Sequence, residues 1–314
     1  MIDGIKVLAR IPNYEQWKEK TGISFAVSTD IGTGEIKGKK VGTKNHDISY
    51  WHTGYFQTYK LSIVESRNSS SCIMGDYNLI IKGSLHKNYY GGTNYQAFTF
   101  SQLQQEIRSL CTALFLNPQK CELQNIEIGV NVVLPFETSY YIFNSVLMYS
   151  THQFENYNPD KKGIILGRVA KLAQYSIKCY DKGLQNELEY NLMRFEKRYI
   201  KMQSLKKRGI HTLEDLLCYH KIEPLGIELM NAWHKVLINE PDIEASTLNL
   251  TPELKSILQE GRNRDYWTRL RKTNRNRYNK YLLKYRKLSN EYSVQKTHIT
   301  IGNLIKEAWG ELLK

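Results

Sequence analysis

The sequence predicts an α+β fold: a central, largely antiparallel sheet with helices on one face, followed by a mainly helical C-terminal domain. Short segments of alternating apolar residues dominate up to about residue 200, and helical patterns interrupt them without regular βα alternation. After Arg198 the strand pattern almost disappears. The 314 residues are enough for two domains. We place them at 1–205 and 206–314, because the Lys206-Lys207-Arg208-Gly209 segment is typical of a helix end.

The strand predictions rest on apolar residues that recur at every second position, so that one face of each segment is buried. The clean alternation of Ile126, Ile128, Val130 and Val132 is the best example. The predicted strands are Ile5–Ile11, Thr58–Val64, Leu79–Leu85, Ile126–Val133 and Ser176–Tyr180.

The helix predictions rest on capping residues followed by apolar residues three or four apart. Ser101 with Gln104 predicts a capping box, and a second helix is predicted from Tyr140 to about Thr151. In the C-terminal third, Thr212 with Asp215 and Thr251-Pro252-Glu253 predict helix starts. Residues 262–288 are predicted to form one long basic helix.

The charge balance favours a polyanionic partner. Lys and Arg total 44 against 31 acids, a net charge of +13, so nucleic acid is the first candidate. No run of 18 apolar residues is present, and charged residues begin at Asp3, so we expect neither a membrane span nor a signal peptide, and a soluble intracellular protein. Five cysteines without CxxC spacing predict reduced thiols rather than disulfides or a zinc ribbon.

Most of the excess positive charge lies in residues 262–287, which contain eleven Lys and Arg and one acid, Asp265. Interleaved aromatic and leucine residues give an amphipathic pattern whose apolar side would pack inward. A solvated helix face normally mixes both signs, so this one-sided charge indicates contact with a phosphate backbone. The predicted DNA-binding residues are Arg262, Arg264, Arg269, Arg271, Lys272, Arg275, Arg277 and Lys280.

The segment Gln174–Gly183 contains a candidate nucleophile. In a strand, Lys178, Tyr180 and Lys182 share one face, which places a phenol between two cations. An unperturbed tyrosine is only about 0.1% ionised at pH 7, so a phenolic nucleophile needs such cations to stabilise the phenolate. The alternative is a half-exposed tyrosine in an ordinary turn.

Two other segments offer candidate metal ligands. In the strand of residues 126–132, Glu127 and Asn131 share the face opposite the apolar residues, and Gly129 between them leaves room for a close approach. His86 faces the same way as Lys82 if the preceding strand persists that far. Imidazole and carboxylate together suit a Mg²⁺ or Mn²⁺ site. An ordinary solvated strand face and a structural histidine are the alternatives.

Arg194-Phe195-Glu196-Lys197-Arg198 fits both a strand and a helix. As a strand beside that of Tyr180, it would bring Glu196 to the site as a further carboxylate. As a helix, it would make Glu196 an ion-pair partner of little energetic value.

In order and spacing over roughly residues 75–217, this chain resembles the gene II/X replication-initiator family of filamentous phages and its relatives in phages and plasmids. The matching segments are Gly83-Ser84-Leu85-His86-Lys87 with Gly91-Gly92, Ile126–Val132, Tyr180-Asp181-Lys182, and Arg194-Phe195-Glu196 leading into Lys201-Met202-Gln203 and Thr212–Leu216.

The resemblance implies a rolling-circle replication initiator related to HUH endonucleases, an enzyme that nicks and rejoins single-stranded origin DNA through a 5′-phosphotyrosine. Carried onto this chain, it implies Tyr180 as the nucleophile, with Lys182 and Lys178 as supporting cations and Tyr175 as the fallback nucleophile. The implied cofactor is Mg²⁺ or Mn²⁺. No His-x-His pair is present, so His86, Glu127 and Glu196 are the implied ligands.

The implied partner is single-stranded or supercoiled origin DNA in the cytoplasm of a bacterial host. Because no GKS or GKT segment is present, a separate host helicase would unwind the duplex, and a host polymerase would extend the freed 3′ end.

Two other functions are weighed on the sequence, of which the second stays open. A tyrosine recombinase also uses a phenol on DNA, but no HxxR motif occurs in the chain. A non-catalytic, sequence-specific DNA-binding protein, such as a repressor or a non-nicking plasmid initiator, would explain the basic segment equally well.

Overall fold

The structure is a computed structural model that describes residues 1–27, 38–40, 48–67, 76–158 and 163–314. The fold is α+β, with a large antiparallel sheet, helices and a helical C-terminal region, as predicted. The strands are β1 Ile2–Ile11, β2 Ala26–Val27, β3 Gly38–Lys40, β4 Ile48–Phe56, β5 Tyr59–Arg67, β6 Asp76–Ser84, β7 Cys121–Val133, β8 Val146–Tyr149, β9 His152–Gln153, β10 Glu155–Tyr157, β11 Gly167–Lys171, β12 Tyr175–Asp181, β13 Leu192–Tyr199 and β14 Val236–Ile238.

Short helices lie between the strands, and longer ones follow them. They are α1 Tyr14–Thr21, α2 Leu85–Tyr89, α3 Phe100–Ala113, α4 Thr138–Ser145, α5 Lys182–Gln185, α6 Gln203–Lys206, α7 Tyr219–Ile222, α8 Leu225–His234, α9 Pro252–Gly261, α10 Arg264–Thr273, α11 Arg275–Tyr292 and α12 Thr297–Leu313, with 3₁₀ turns at Pro118–Lys120 and Glu214–Leu217. In the part of the chain that the structure describes, no helix is long and apolar enough to span a bilayer.

The chain forms two compact units, each assembled from separate segments. Unit 1 comprises Met1–Ile128, Arg198–Pro224 and Leu312–Lys314, and unit 2 comprises Gly129–Lys197 and Leu225–Glu311. The proposed division into functional domains at residue 205 stays a prediction.

In unit 1, β1 pairs antiparallel with β6 on one side and with β7 on the other. The order continues from β6 to β5 and β4, and both β2 and β3 pair with β4. The alternation that predicted β1 buries Ile5, Val7 and Ala9. The strand predictions in this unit are confirmed to within a few residues, because one face of each strand meets the apolar core.

In unit 2 the strand order is β10-β11-β12-β13-β7, and a smaller sheet has the order β14-β8-β9. The C-terminal helices α9, α10 and α11 bury Trp267, Tyr278 and Tyr285 against Met148 and Leu237. These aromatic residues belong to the apolar side predicted for the basic segment. Their burial confirms that the segment is amphipathic.

Two helix predictions are wrong in their extent. The helix predicted from Tyr140 to Thr151 ends at Ser145, because the next four residues form the fully buried strand β8, which pairs with β14. The basic stretch is two helices rather than one. The break is at Asn274, whose side chain accepts a hydrogen bond from the backbone N–H of Arg277 and so caps α11.

Two helix starts also differ from the prediction. Thr99 and Gln102, rather than Ser101 and Gln104, form the capping box of α3. The segment after Thr212 is a 3₁₀ turn instead of an α-helix, and the Asp215 carboxylate accepts hydrogen bonds from the N–H groups of His211 and Thr212. At α3 a neighbouring pair of side chains satisfies the free backbone donors, whereas at the 3₁₀ turn the predicted Asp215 does so.

Candidate functional site

Tyr180 lies near the end of β12 in unit 2, and its side chain is buried, with 3% of its surface exposed. It pairs with Gly167 on β11. A Cβ atom on Gly167 would lie 2.6 Å from the Cβ of Tyr180, so only glycine fits opposite this residue. The Tyr157 ring of β10 packs 5.0 Å from the Tyr180 ring, centroid to centroid. Tyr180 therefore packs closely against β11, and the ring of Tyr157 from β10 lies against its ring.

The Tyr180 hydroxyl donates a 3.1 Å hydrogen bond to Oε1 of Glu196. Lys178 donates to Oε2 of the same carboxylate at 2.6 Å, and Nε of Arg194 donates to Oε1. Arg194 also donates to Asn131 on β7 at 2.9 Å. We call Asn131, Lys178, Tyr180, Arg194 and Glu196 the Glu196 cluster.

The backbone of β13 explains why these groups converge. Of the two interpretations of residues 194–198, the strand is the observed one, and it places Arg194 and Glu196 on the same face. Both side chains are 1% exposed. Glu196 thus combines both alternatives: it lies beside Tyr180 on a strand, and it is also an ion-pair partner of two cations.

The cations determine the ionisation of Glu196. Burial alone would raise the pKa of this carboxyl, but the Lys178 ammonium and the Arg194 guanidinium outweigh the burial and hold the pKa well below its ordinary value. Glu196 is therefore a carboxylate at neutral pH and can only accept hydrogen bonds. This keeps the Tyr180 O–H directed at Oε1.

Lys182 does not share a strand face with Lys178 and Tyr180, so that part of the prediction is wrong. β12 ends at Asp181, whose side chain accepts a hydrogen bond from the backbone N–H of Leu184 and caps α5. Lys182 is consequently the first residue of α5. Its Nζ lies 5.8 Å from the centroid of the Tyr180 ring, and it donates to Gln185 at 2.7 Å. The cation is near the phenol, but a helix rather than a strand places it there.

Tyr175, the fallback nucleophile, begins β12 and is half-buried. Its hydroxyl lies 3.3 Å from the hydroxyl of Tyr149, and Nζ of Lys197 lies 5.0 Å from its ring centroid. A cation thus accompanies this phenol too.

The sequence indicated a close approach at Gly129, and in the structure strand β13 makes it. A Cβ atom on Gly129 would lie 2.8 Å from Cγ of Glu196 and 2.9 Å from the carbonyl oxygen of Phe195. The absence of a side chain at this position is what lets the Glu196 cluster pack against β7.

We expect Gly129→Ala to lower the free energy of unfolding by about 1–3 kcal/mol, because the added methyl group would push into Glu196 and the β13 backbone. Urea denaturation measures the change. Gly310→Ala is the matched control in the same unit, since a Cβ there meets nothing within 4 Å and alanine favours the helix. A Gly129→Ala variant as stable as the parent would contradict the close packing.

His86 lies in unit 1, in helix α2 rather than on the strand face shared by Lys82 and Ser84, so the conditional strand placement is wrong. Strand β6 ends at Ser84 because this side chain accepts from the backbone N–H of Lys87 and begins α2. The His86 ring is buried and stacks on Phe98, with the centroids 4.8 Å apart and the planes 10° apart. The metal-ligand role of His86 stays a prediction.

A carboxylate that the sequence analysis did not single out lies close to Glu127. A carboxylate oxygen of Asp3, on β1, is within 4.8 Å of one of Glu127. Asn94 donates to Oδ2 of Asp3 at 2.6 Å, and Ser84 donates to Oδ1. The signal in the sequence was an acid inside an apolar strand, because Asp3 follows Ile2 in β1 and is buried.

The Asp3–Glu127 pair supplies oxygen donors, which are the ligands that Mg²⁺ and Mn²⁺ prefer. These two residues could therefore hold such an ion within unit 1. Glu196, the third predicted ligand, belongs to unit 2, where both of its oxygens already accept hydrogen bonds from cations.

The basic surface of unit 2 is formed by α10 and α11. Seven of the eight predicted DNA-binding cations are exposed, and Arg262 is half-buried. Arg277 lies over the Tyr281 ring at 4.8 Å, so part of the surface combines a cation with an aromatic face. The exposed cations are Arg264, Arg269, Arg271, Lys272, Arg275, Arg277 and Lys280.

Comparisons with known proteins yield weak structural similarities only. No protein-family model and no curated protein matches the sequence. One similar solved structure is the rolling circle replication initiator protein from Geobacillus stearothermophilus, with a TM-score of 0.37 and 10% identity over 79% of this chain and 89% of that one. Another is DynU16, from the dynemicin biosynthetic locus, with a TM-score of 0.14 and 9% identity over 85% and 94%. Both TM-scores are below 0.5, so neither similarity extends to function.

Proposed function

We propose that this protein is a replication initiator that nicks and rejoins single-stranded origin DNA through a 5′-phosphotyrosine on Tyr180. The observation that supports this most is the hydrogen bond from the Tyr180 hydroxyl to Glu196, in a cluster where Lys178 binds the same carboxylate. A phenol whose O–H is oriented by a hydrogen-bond acceptor and which has cations beside it has the groups that a tyrosine nucleophile needs. The sequence motifs around Tyr180 and Glu196 support the same function.

The reaction follows from ordinary phosphoryl chemistry. The Tyr180 oxygen attacks the phosphorus, a new O–P bond forms, and the bond from phosphorus to the 3′ oxygen breaks. The phenolic proton leaves to water, because the lowered pKa makes Glu196 too weak a base to take it, and the departing 3′ oxygen takes up a proton from water to become a hydroxyl. That hydroxyl primes synthesis by a host polymerase and later attacks the phosphotyrosine, which rejoins the strand without ATP.

The cations would stabilise the charge that develops during this step. Lys178 and Arg194 hold Glu196, and Lys182 lies over the Tyr180 ring. As the phenol loses its proton and the phosphorus atom gains a fifth oxygen ligand, negative charge develops close to these groups. Lys178 and Lys182 can reorient toward that charge, because their flexible stems end in single ammonium groups.

A divalent ion would contribute by polarising the scissile phosphate, as Mg²⁺ or Mn²⁺ does when bound by carboxylates. Asp3 and Glu127 are the residues whose observed spacing fits this role best. His86 and Glu196 remain proposed ligands from the sequence.

The exposed cations of α10 and α11 are proposed to hold the DNA that flanks the nick. If six of them contact phosphates, the logarithm of the binding constant should fall with the logarithm of the salt concentration at a slope of about −5. Replacing Arg269, Arg275 and Lys280 together with alanine should make that slope less steep by about 3. Fluorescence anisotropy at several salt concentrations measures both values.

The control for this measurement is Lys20→Ala, which removes an exposed cation from α1 in unit 1 and should leave the slope unchanged. A slope near zero in the unmodified protein, or a slope that the triple substitution does not alter, would contradict the role of α10 and α11.

The burial of Tyr180 favours a second candidate, a non-catalytic DNA-binding protein. With 3% of its surface exposed and Tyr157 packed against it, the phenol is covered in the free protein. A repressor or non-nicking initiator would need only the basic surface.

The two candidates differ in whether DNA becomes covalently attached. The protein is incubated with a random single-stranded DNA library and Mg²⁺ or Mn²⁺, denatured in detergent, and analysed by mass spectrometry of its peptides. The nicking function predicts a nucleotide adduct on the peptide that contains Tyr180. Tight binding without any adduct would favour the non-catalytic protein.

A further inference from the structure

A cavity of about 540 Å³ in unit 2 has no role in the nicking reaction described above. One wall is the segment from Pro135 to Ser145, which contains α4, and Pro241, Gln295 and the first turn of α12 complete the lining. The volume lies within the range of about 300–1,000 Å³ that is typical of small-molecule sites. Its size therefore suits a nucleoside or a ligand of similar size.

The lining selects for an uncharged aromatic group. Phe136, Tyr140 and Tyr141 contribute rings, two prolines add apolar surface, and none of the lining residues is Lys or Arg. The single acid, Glu137, accepts a hydrogen bond from the backbone N–H of Tyr140. Without cations this cavity is a poor phosphate site, whereas its rings suit the flat face of a base.

The three aromatic rings of the cavity differ in their exposure, and two polar side chains line the cavity with them. The Phe136 and Tyr141 rings contact each other, with their centroids 4.9 Å apart, and Tyr141 is buried. Tyr140 is 63% exposed, so its ring is available to a ligand. Gln295 and Thr300 add an amide and a hydroxyl that could meet the polar edge of a base.

Helix α4 connects the cavity to the strand that carries Tyr180. Ser139, on that helix, donates a 2.6 Å hydrogen bond to Oδ2 of Asp181, the residue that follows Tyr180. The other oxygen of Asp181 accepts from the backbone N–H of Leu184 and caps α5. One carboxylate thus links the helix that lines the cavity to the end of the strand that carries Tyr180.

Building on the nicking function, we propose that this cavity binds one unpaired nucleobase of the single-stranded DNA, stacked on Tyr140, close to the phosphate that Tyr180 attacks. A base held there fixes the position of the strand relative to Tyr180. It also discriminates against duplex DNA, whose bases are stacked and paired, so the same site explains a preference for single strands.

The test measures binding rather than cleavage. A single-stranded oligonucleotide carrying the fluorescent base 2-aminopurine is titrated with the full-length protein in EDTA, which prevents metal-dependent cleavage. Stacking quenches the fluorescence of this base. We expect Tyr140→Ala to remove the quenching and to weaken single-strand binding about 10-fold, since stacking on one aromatic ring contributes that order of affinity. Tyr140→Phe should keep both, and duplex binding should not change.

Tyr55→Ala is the matched control, because it removes another tyrosine that is 66% exposed, from unit 1. It should leave quenching and affinity unaltered. If the Tyr140→Ala protein quenches the 2-aminopurine fluorescence and binds the single strand as the parent protein does, the proposed base site is wrong. If the quenching depends on Tyr140 but no covalent adduct ever forms on Tyr180, the base site stands and the nicking function fails.

Discussion

Tyr180→Phe should abolish the covalent protein–DNA adduct and reduce cleavage of single-stranded DNA by at least about 10³-fold, while DNA binding persists. The substitution removes only the oxygen that would bond to phosphorus. The basic surface on α10 and α11 is untouched, so affinity and its salt dependence should stay as in the parent protein. Adduct formation is followed by gel electrophoresis in detergent with end-labelled DNA, and binding by anisotropy.

The matched control is Tyr175→Phe, because Tyr175 lies on the same strand and also has a cation over its ring. It should cleave and form the adduct normally. Loss of the adduct in Tyr175→Phe but not in Tyr180→Phe would transfer the nucleophile to Tyr175. Cleavage that neither substitution affects would eliminate both tyrosines.

Tyr180→Phe also removes the hydrogen bond to the buried Glu196 carboxylate, which should lower the free energy of unfolding by about 1–3 kcal/mol. Circular dichroism and urea denaturation of Tyr180→Phe therefore accompany the cleavage assay. A variant that folds and binds DNA but forms no adduct isolates the chemical role of the hydroxyl.

Glu196→Gln should have the largest effect on stability, lowering the free energy of unfolding by about 3–5 kcal/mol. Arg194 is 1% exposed and Lys178 is 12% exposed, so both cations lose their carboxylate where water cannot replace it. The neutral amide also replaces one acceptor oxygen with an N–H donor that faces a cation. Urea denaturation at pH 7 measures the loss.

The control is Glu155→Gln, which removes an exposed carboxylate from β10 in the same unit. Its ion pair with Lys171 has a similar length, 2.6 Å, but the two side chains are 60% and 64% exposed. Solvent screens such a pair, so we expect little change. Equal effects at the two positions would show that burial does not strengthen the Glu196 cluster.

The lowered pKa of Glu196 also fixes the sign of a pH dependence. Burial opposes ionisation, but the two cations outweigh it, so the folded protein holds this proton less tightly than the unfolded chain does. The stabilisation is therefore fully present above the ordinary pKa of about 4.5 and is lost as the pH falls below it toward the folded value. The free energy of unfolding should therefore fall less steeply with decreasing pH in Glu196→Gln than in the parent protein.

Local patterns in the sequence were sufficient to predict the α+β class and five of the fourteen strands that the structure describes, namely β1, β5, β6, β7 and β12. Alternation alone fixed the face of β7, because Ile126, Ile128 and Val130 have to meet the core. The same reasoning left residues 194–198 undecided, since both periodicities fit. Pairing with neighbouring strands, which only the assembled sheet provides, made them β13.

The candidate site was predictable where its members lie on one strand and not where distant side chains meet. Lys178 and Tyr180 share β12, and their spacing was visible. Asp3 was missed because its partners, Ser84 and Asn94, are 81 and 91 residues away in the sequence. Lys182 was misplaced because the capping by Asp181 ends the strand one residue earlier than the alternation indicates.

The packing of Tyr157 on Tyr180 has a consequence for the catalytic cycle. Tyr180 is 3% exposed, so a phosphodiester can reach its oxygen only after neighbouring groups move, and the Tyr157 ring that packs on it belongs to β10, which lies at the end of the strand order and pairs with β11 through three residues. In the proposed reaction, displacement of this short edge strand would uncover the Tyr180 ring for DNA. A closed edge would then shield the phenol from stray phosphates until the correct strand displaces it.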